Sequence, residues 1–340
     1  MPARRNSAAS SPPRKGAGGR WSRSAARRRN RAAAAGPPGL PRRHRRASLS
    51  GNRGGKAMKI GAGMFFTDYS MHPAELARAL EERGFESLWA PEHSHIPLGR
   101  KAAYPGGGEL PKMYYDVMDP FVTLTAAAGA TTTLRLGTGI CLVVQRDPIQ
   151  TAKLVASIDQ VSGGRFLFGV GNGWNRDEIE DHGTVFETRH KLARERIEAM
   201  QAIWTQTKPE YQGEFVAFGP MMTWPKPVQT PHPPIIVGGA FPWGAKRAVR
   251  YGNGWMPHRV RQHYADVAAL VPQFRALLAE AGRSEADCPV TIWGAKEDRD
   301  ALLADRDLGI ERVVVSLEAA KSDVILPQLD RWAKLVEAVR

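Results

Sequence analysis

From Met58 onward, short apolar runs alternate with segments of helical periodicity up to the end of the chain. Several of these runs lack hydrophobic alternation, which is typical of parallel strands covered on both faces. We identify eight runs, at residues 59–66, 86–91, 134–142, 165–170, 234–238, 254–257, 289–294 and 311–317. Eight β/α units in a chain of this length predict an α/β fold, most simply a (β/α)8 TIM barrel, with an open doubly wound sheet as the alternative.

Capping residues and periodicity predict the helices between these strands. A helix is predicted over residues 73–83, and Gly84 follows it, a residue type favoured just after a helix. Asp147 followed by Pro148 is typical of an N-cap and the first position of a helix. Along 188–206, apolar residues recur at helical spacing on one face, which predicts a helix that packs on the sheet.

Two segments rich in proline and glycine interrupt the alternation. One covers residues 93–118, after the second predicted strand, and the other covers residues 207–233, after the fourth. Because most connections in β/α units are far shorter, we interpret both segments as insertions that form a lid or a wall of a pocket.

The basic character of the chain is confined to its first 57 residues. They hold 16 of the 48 Arg and Lys residues and no Asp or Glu, so residues 58–340 carry a net charge of −2. With few large apolar side chains, residues 1–57 cannot bury enough surface to offset their ordering entropy, and we predict a disordered tail. An RNA- or membrane-binding arm, an organellar transit peptide and a start codon placed upstream of Met58 are three explanations of this tail.

The composition of residues 58–340 excludes several classes of protein. Their small net charge gives no reason to expect a nucleic-acid-binding face outside the tail. No run of 18 apolar residues is present, so we expect no membrane span. Cys141 and Cys288 are too few for a disulfide framework and are compatible with the cytoplasm. We therefore expect one cytoplasmic domain that acts on a small-molecule substrate, with a homodimer as one option.

Polar residues follow the second predicted strand, where the chemistry of a barrel is expected because active sites lie at the C-terminal ends of its strands. Glu92, His93 and His95 could be metal ligands, an acid–base pair or the polar edge of a cofactor pocket. A metal site like that of metal-dependent amidohydrolases needs further ligands at later strand ends, where only Cys141 and His258 are available. We therefore expect no metal.

Glycines cluster after two other predicted strands. Gly171 and Gly173 flank Asn172, and a missing Cβ there would let the backbone approach a flat ligand. Gly238 and Gly239 precede a predicted helix, whose first backbone N–H groups can bind phosphate. Tight turns are the alternative explanation of each cluster. Together the two clusters indicate a planar cofactor that carries phosphate.

Four segments, in this order, resemble the luciferase-like monooxygenase superfamily. They are ESLWAPEHSHIP, LRLGTGICLVVQRDP, VSGGRFLFGVGNGWN and PPIIVGGAFPWGAKRAVRYGNGWMP. Within the superfamily, residues 58–340 are most similar to oxidoreductases that use coenzyme F420, a 5-deazaflavin. The resemblance implies hydride transfer between F420 and a small, rather apolar organic substrate, with an FMN-dependent monooxygenase of the same superfamily as the alternative.

The resemblance also implies roles for individual residues. Glu92 and His93 match an acid–histidine pair beside the reactive ring carbon, where His93 would donate or accept a proton. A non-proline cis peptide at Gly139–Ile140 would lie behind the ring. The other implied cofactor contacts are Gly171, Asn172, Gly173, Trp174 and Asn175 along the ring and Gly238, Gly239 and Ala240 at the phosphate.

Trp174 marks a departure from part of the superfamily. The branch that oxidises sugar phosphates has a carboxylate at about this position, so the tryptophan favours a less polar substrate. Aromatic residues nearby in the predicted barrel are candidates for the wall of an apolar pocket, namely Phe65, Phe66, Tyr114 and Tyr115.

Overall fold

The computed structural model describes residues 57–259 and 266–339 of the chain. The predicted tail therefore lies outside the described residues, except for Ala57. Within the described ranges, no helix has the length and apolar character needed to span a bilayer.

A ring of parallel strands forms the centre of the fold. Among the described residues, the strands are β1 (Lys59–Met64), β2 (Ser87–Ala90), β3 (Arg135–Thr138), β4 (Cys141–Leu142), β5 (Phe166–Gly171), β6 (Tyr211–Gln212), β7 (Ala217–Phe218), β8 (Ile235–Gly238), β9 (Gly254–Met256), β10 (Thr291–Trp293) and β11 (Arg312–Leu317). Neighbours in the ring follow the order β10-β11-β1-β2-β3-β5-β8-β9, and β4 pairs with β5. Two isolated parallel bridges, Trp255–Val290 and His258–Trp293, join the last strand to the first. The predicted TIM barrel is confirmed.

The third predicted strand is divided into β3 and β4 by a cis peptide bond between Gly139 and Ile140. The cis bond implied by the family resemblance is thus confirmed. The chain bulges here toward β5, where a Cβ on Gly169 would overlap the carbonyl oxygen of Thr138. Glycine at 169 therefore allows this close backbone approach.

Helices cover the outside of the ring. In the described part of the chain they are α1 (Pro73–Glu82), α2 (Pro120–Ala130), α3 (Pro148–Val161), α4 (Arg176–Asp181), α5 (Arg189–Thr205), α6 (Trp243–Tyr251), α7 (Val267–Glu280), α8 (Arg299–Asp307) and α9 (Ser322–Ala338). Two 3-10 turns occur at Lys112–Tyr114 and Phe186–Thr188.

The capping predictions agree with these helices. After α1, Gly84 has a φ of 74°, a conformation that favours glycine after a helix. The carboxylate of Asp147 accepts from the backbone N–H of Gln150 at 2.8 Å and caps α3. Asp119 caps α2 in the same way, again followed by proline at the first helical position.

The two insertions lie at opposite ends of the barrel. Residues 93–118 follow β2 directly and cover the C-terminal ends of the strands. Residues 207–233 connect α5 to β8, so they lie at the N-terminal end, where Gln229 donates to the carbonyl oxygen of Phe166 at 2.8 Å. The prediction that 207–233 follows the fourth strand and forms a wall of the pocket is wrong. The helical segments α4 and α5 separate it from that strand.

Side chains fill the interior of the barrel below its C-terminal mouth. The buried cluster consists of Trp89, Leu167, Ile236, Met256 and Val314, with Ile140 and Trp293 packed against it. The Trp293 indole lies close to β1 and β3, where a Cβ on Gly63 or Gly139 would overlap it. This layer closes the bottom of the cavity that opens at the mouth.

Candidate active site

A cavity of about 320 Å³ opens at the C-terminal end of the barrel. Its size is within the range of small-molecule sites. Most of the site residues expected from the sequence line it, namely Glu92, His93, Gly139, Ile140, Gly171, Asn172, Gly173, Trp174, Gly238, Gly239 and Ala240. Asn175 is the exception, because it is buried behind the wall at the start of α4.

His93 lies on the cavity wall and contacts a buried carboxylate. Its Nδ1 is 2.7 Å from Oε2 of Glu178, and the two side chains are 7% and 1% exposed. The second oxygen of Glu178 accepts from the backbone N–H of Ser94 at 3.1 Å. With Nδ1 engaged, Nε2 is the ring nitrogen available to a molecule in the cavity. The site therefore presents a histidine backed by a carboxylate.

Glu92 lines the same wall but has other partners. Its Oε2 accepts from the backbone N–H of Leu142 at 2.6 Å, and its Oε1 accepts from Nε of Arg146 at 2.5 Å. Arg146 also binds Asp119, the cap of α2. Glu92 thus holds the chain beyond the cis peptide in place, while the acid hydrogen-bonded to His93 is Glu178.

Ile140 and two glycines form the apolar floor of the cavity. A Cβ on Gly171 would overlap the end of the Ile140 side chain, and one on Gly238 would lie 3.1 Å from its Cγ2. From the sequence, the missing Cβ at Gly171 was interpreted as allowing the backbone to approach a flat ligand. In the structure, Gly171 lines the cavity, and the Ile140 side chain occupies the space that a Cβ at 171 would take.

The opposite end of the cavity is basic. Gly239 has a φ of 136°, and an added Cβ would lie 3.2 Å from Nη2 of Arg247, a residue of α6 that lines the cavity. The Gly239 carbonyl accepts from the indole of Trp255 at 2.9 Å, which fixes the turn before α6. The helix has no side-chain cap, and the guanidinium of Arg247 lies at this end, where the N–H groups of Gly239 and Gly244 donate to the carbonyls of Met256 and Ala240.

His190, in the first turn of α5, lines the wall between the Ile140 floor and the basic end of the cavity. Its Nδ1 accepts from Nδ2 of Asn172 at 2.7 Å. Burial, with the nearby charges of Arg189 and Arg247, lowers the pKa of His190 to about 4. His190 is therefore a neutral side chain at physiological pH, and its Nε2 carries the proton.

Three aromatic residues surround His93. The ring centroids of Tyr114 and Trp174 lie 5.2 and 5.8 Å from that of His93, and Phe65 lies 4.6 Å from Tyr114. The other two aromatic candidates are elsewhere: Phe66 is buried in the core and Tyr115 is 47% exposed. The wall around His93 is therefore largely aromatic.

His95 lies outside the cavity. Its Nε2 is 3.0 Å from Asp181, and its Nδ1 is 2.9 Å from the Ser94 hydroxyl, which also contacts His182. Among residues 57–259 and 266–339, no group of three or more His, Cys, Asp or Glu side chains is arranged to hold a metal ion.

Several lining residues had no assigned role from the sequence. Arg247 and His190 belong to helical segments that contain several other charged residues. Only the fold shows which of these side chains face the cavity. Glu178 belongs to the run RDEIED, in which Ile179 is the only apolar residue. Glu178 and Glu180 both lie next to that isoleucine, so the sequence held no signal that separates them.

Comparisons with known proteins are consistent with this architecture. The family model of luciferase-like monooxygenases matches residues 69–296. An uncharacterized protein of Mycobacterium tuberculosis is 39% identical over 284 residues, which cover 81% of this chain and 98% of that protein.

Two other relatives have names that include a cofactor. An F420-dependent hydroxymycolic acid dehydrogenase of M. tuberculosis is 26% identical over 67% of this chain and 58% of its own length. An FMNH(2)-dependent dimethylsulfone monooxygenase of Pseudomonas putida is 38% identical, but over only 27% of this chain and 26% of its own length.

Solved structures share the fold at low sequence identity. A monooxygenase from Streptomyces bottropensis has a TM-score of 0.66 and 21% identity, covering 82% of this chain and 98% of its own. An F420-dependent secondary alcohol dehydrogenase with an F420-acetone adduct has a TM-score of 0.63 and 19% identity, covering 84% and 100%.

Proposed function

Since this chain belongs to the luciferase-like monooxygenase family, we propose that it transfers a hydride between coenzyme F420 and a small, rather apolar organic substrate. The family membership makes it an oxidoreductase. The proposal adds the cofactor, the polarity of the substrate and the residues that act on both.

The cavity fits a planar cofactor that carries phosphate. Ile140 gives a flat apolar floor between Gly171 and Gly238, where either added Cβ would push the floor inward. Arg247 and the turn at Gly239 give a basic end suited to phosphate. Asn172 and His190 lie along the wall between floor and basic end, with hydrogen-bonding groups for polar edges of a ring.

When bound, the deazaflavin supplies or accepts the hydride. The residues of this chain bind, orient and handle the proton. Nε2 of His93 takes the proton of a substrate hydroxyl or returns it to a carbonyl oxygen, according to the direction of the reaction. Tyr114, Trp174 and Phe65 exclude water from this point and accept an uncharged substrate.

One observation carries the proposal: the buried Glu178 carboxylate lies 2.7 Å from Nδ1 of a histidine whose other nitrogen is available to the cavity. This arrangement is typical of a residue that exchanges protons with a substrate. Glu92, occupied by Arg146 and Leu142, acts by shaping the cavity around that histidine.

FMN-dependent oxygenation is the second candidate. It is supported by the local similarity to the dimethylsulfone monooxygenase, while the dehydrogenase that uses F420 matches a larger part of the chain. The phosphate end and the apolar floor suit either cofactor. The difference that decides the reaction with oxygen lies at ring position 5, where a deazaflavin has carbon in place of the N5 of FMN and therefore reacts poorly with oxygen.

The experiment is to measure binding of F420 and FMN to the purified protein, and then turnover without oxygen against enones, imines and alcohols. We expect tighter binding of F420 and turnover that proceeds without oxygen. Preferential binding of FMN, with oxygen consumed in step with product, would replace the first candidate by the second. The matched control is His93→Ala, which should bind the same cofactor and lose turnover.

A further inference from the structure

We infer that Glu178 is a positioning residue that fixes the tautomer of His93, so that Nδ1 carries the ring proton and Nε2 is free to accept one. This inference rests on the proposed function only in giving His93 the proton-transfer role. The tautomer itself is a property of the protein without cofactor or substrate.

The donors around Glu178 determine this tautomer. Its side chain is 1% exposed, and its Oε1 accepts from the Ser94 backbone N–H, which can only donate. Its Oε2 lies 2.7 Å from Nδ1 of His93 and 3.5 Å from Nδ2 of Asn175. An ionised carboxylate accepts hydrogen bonds and cannot donate them. The proton between Glu178 and a neutral His93 therefore belongs to Nδ1.

No other acid in the described site competes for this role. Glu92, the nearest acid in sequence, is occupied by Arg146 and by the Leu142 backbone. Asp181 contacts His95, on the outer side of Ser94. The ring of His93 is also held between Tyr114 and Trp174, so its orientation and its proton are both set by neighbours.

Replacing Glu178 with glutamine should reverse the tautomer. A glutamine has a single oxygen, and the Ser94 N–H requires that oxygen. The amide NH2 then faces Nδ1 of His93, which must accept, and the ring proton moves to Nε2. The variant keeps the size of the side chain at 178. It changes Nε2 of His93, the nitrogen available to the cavity, from an acceptor into a donor.

The experiment is a two-bond proton–nitrogen correlation spectrum of the full chain labelled with 15N-histidine, recorded where the ring is neutral. The His93 signals are assigned by their loss in His93→Gln. We expect protonated Nδ1 and bare Nε2 in the wild type, and the opposite in Glu178→Gln. The control is Glu180→Gln, the same chemical change in α4, where Glu180 pairs with Arg176 on the surface. It should leave the His93 signals unchanged.

Kinetics give the second readout. Glu178→Gln should lower kcat/KM by roughly 10²–10⁴-fold, as expected when a base is left in the wrong tautomer. Cofactor affinity should change by less than about twofold, a free-energy difference of about 0.4 kcal/mol. Glu178→Asp keeps two acceptor oxygens and should retain the wild-type tautomer with intermediate activity.

The two readouts separate this inference from the proposed function. A wild-type His93 with its proton on Nε2 would overturn the inference, and this holds even if Glu178→Gln does not fold. An unchanged tautomer in a folded Glu178→Gln would overturn it as well. The expected tautomers, combined with no hydride transfer to either cofactor, would leave the inference standing and remove the function.

Discussion

Oε2 of Glu92 accepts a 2.6 Å hydrogen bond from the backbone N–H of Leu142. This bond joins the segment after β2 to the chain just beyond the cis peptide, so two walls of the cavity are connected by one buried carboxylate. Arg146 binds the other oxygen, which leaves the Glu92 charge compensated although its side chain is only 4% exposed.

We expect Arg146→Met to be strongly destabilising, because it leaves the Glu92 charge buried without its partner. The free energy of unfolding should fall by about 3–5 kcal/mol. Urea denaturation measures it, with Arg331→Met as control. Arg331 pairs with Glu297 on the surface at 58% exposure, and its loss should cost less than about 1 kcal/mol. Equal effects of the two substitutions would show that the Glu92 network contributes little.

His93→Ala should lower turnover by roughly 10²–10⁴-fold, since the group that exchanges the proton is removed. His95→Ala should lower it far less, because His95 contacts Asp181 outside the cavity and its side chain is 40% exposed. The measurement is steady-state kinetics with the cofactor that binds. Neither added zinc nor a chelator should change the rate. Activity that is lost on chelation and restored by metal would contradict the proposal and support a metal site.

Gly171→Ala should weaken cofactor binding, because the new Cβ overlaps the end of the Ile140 side chain and displaces the floor. Adding Ile140→Val removes Cδ1, the nearer of the two overlapping atoms, and leaves Cγ1, so the double variant should recover part of the affinity. Titration of the cofactor with each single variant and the double variant gives the coupling energy. Independent effects of the two substitutions would show that the floor does not depend on this contact.

Glu81 makes stability depend on acidity. Its partial burial raises the pKa, but the Thr133 hydroxyl and the backbone N–H groups of Thr132, Thr133 and Leu134 outweigh this and lower the pKa from 4.5 to about 2. The unfolded chain then binds the proton more readily, so the contribution is present above about pH 4.5 and is lost as pH falls toward 2.

Glu81→Gln should therefore reduce stability at neutral pH and flatten the loss of stability between about pH 4.5 and 2. Denaturation midpoints at several pH values measure this. Thr133→Val removes one hydrogen bond to the carboxylate and should have the same effect with a smaller amplitude. An identical pH profile in wild type and Glu81→Gln would exclude this role.

The sequence predicted the elements of the fold because their signals are local. Asp147 with Pro148 is a local signal for the start of a helix, and a buried parallel strand needs a continuous apolar run. The end of the barrel occupied by 207–233 was assigned wrongly, because the segment was placed relative to the fourth strand and not to the predicted helix at 188–206, which lies between them. Its position depends on whether a strand or a helix precedes it.

The candidate site residues that follow a strand were named from the sequence. Those that face the site from a helix were not. His93 and Gly239 could be located because strand ends converge at the mouth. Glu178 could not be distinguished from the acids beside it, since only the fold shows that its side chain is buried and bonded to His93 and the Ser94 N–H. Gly171 lines the cavity, and its contact with the Ile140 side chain could not be predicted because the two residues are brought together only by the fold.

The Trp293 indole makes the residues at positions 63, 139 and 293 dependent on one another in evolution. While the tryptophan is present, neither Gly63 nor Gly139 can acquire a side chain without a clash, although Gly63 lies on β1 and Gly139 follows β3. A descendant that first replaced Trp293 with a small residue would free both positions, and larger residues arriving there would then prevent the tryptophan from returning. The order of substitutions, more than any single one, would decide how the mouth of this barrel is reshaped for a new substrate.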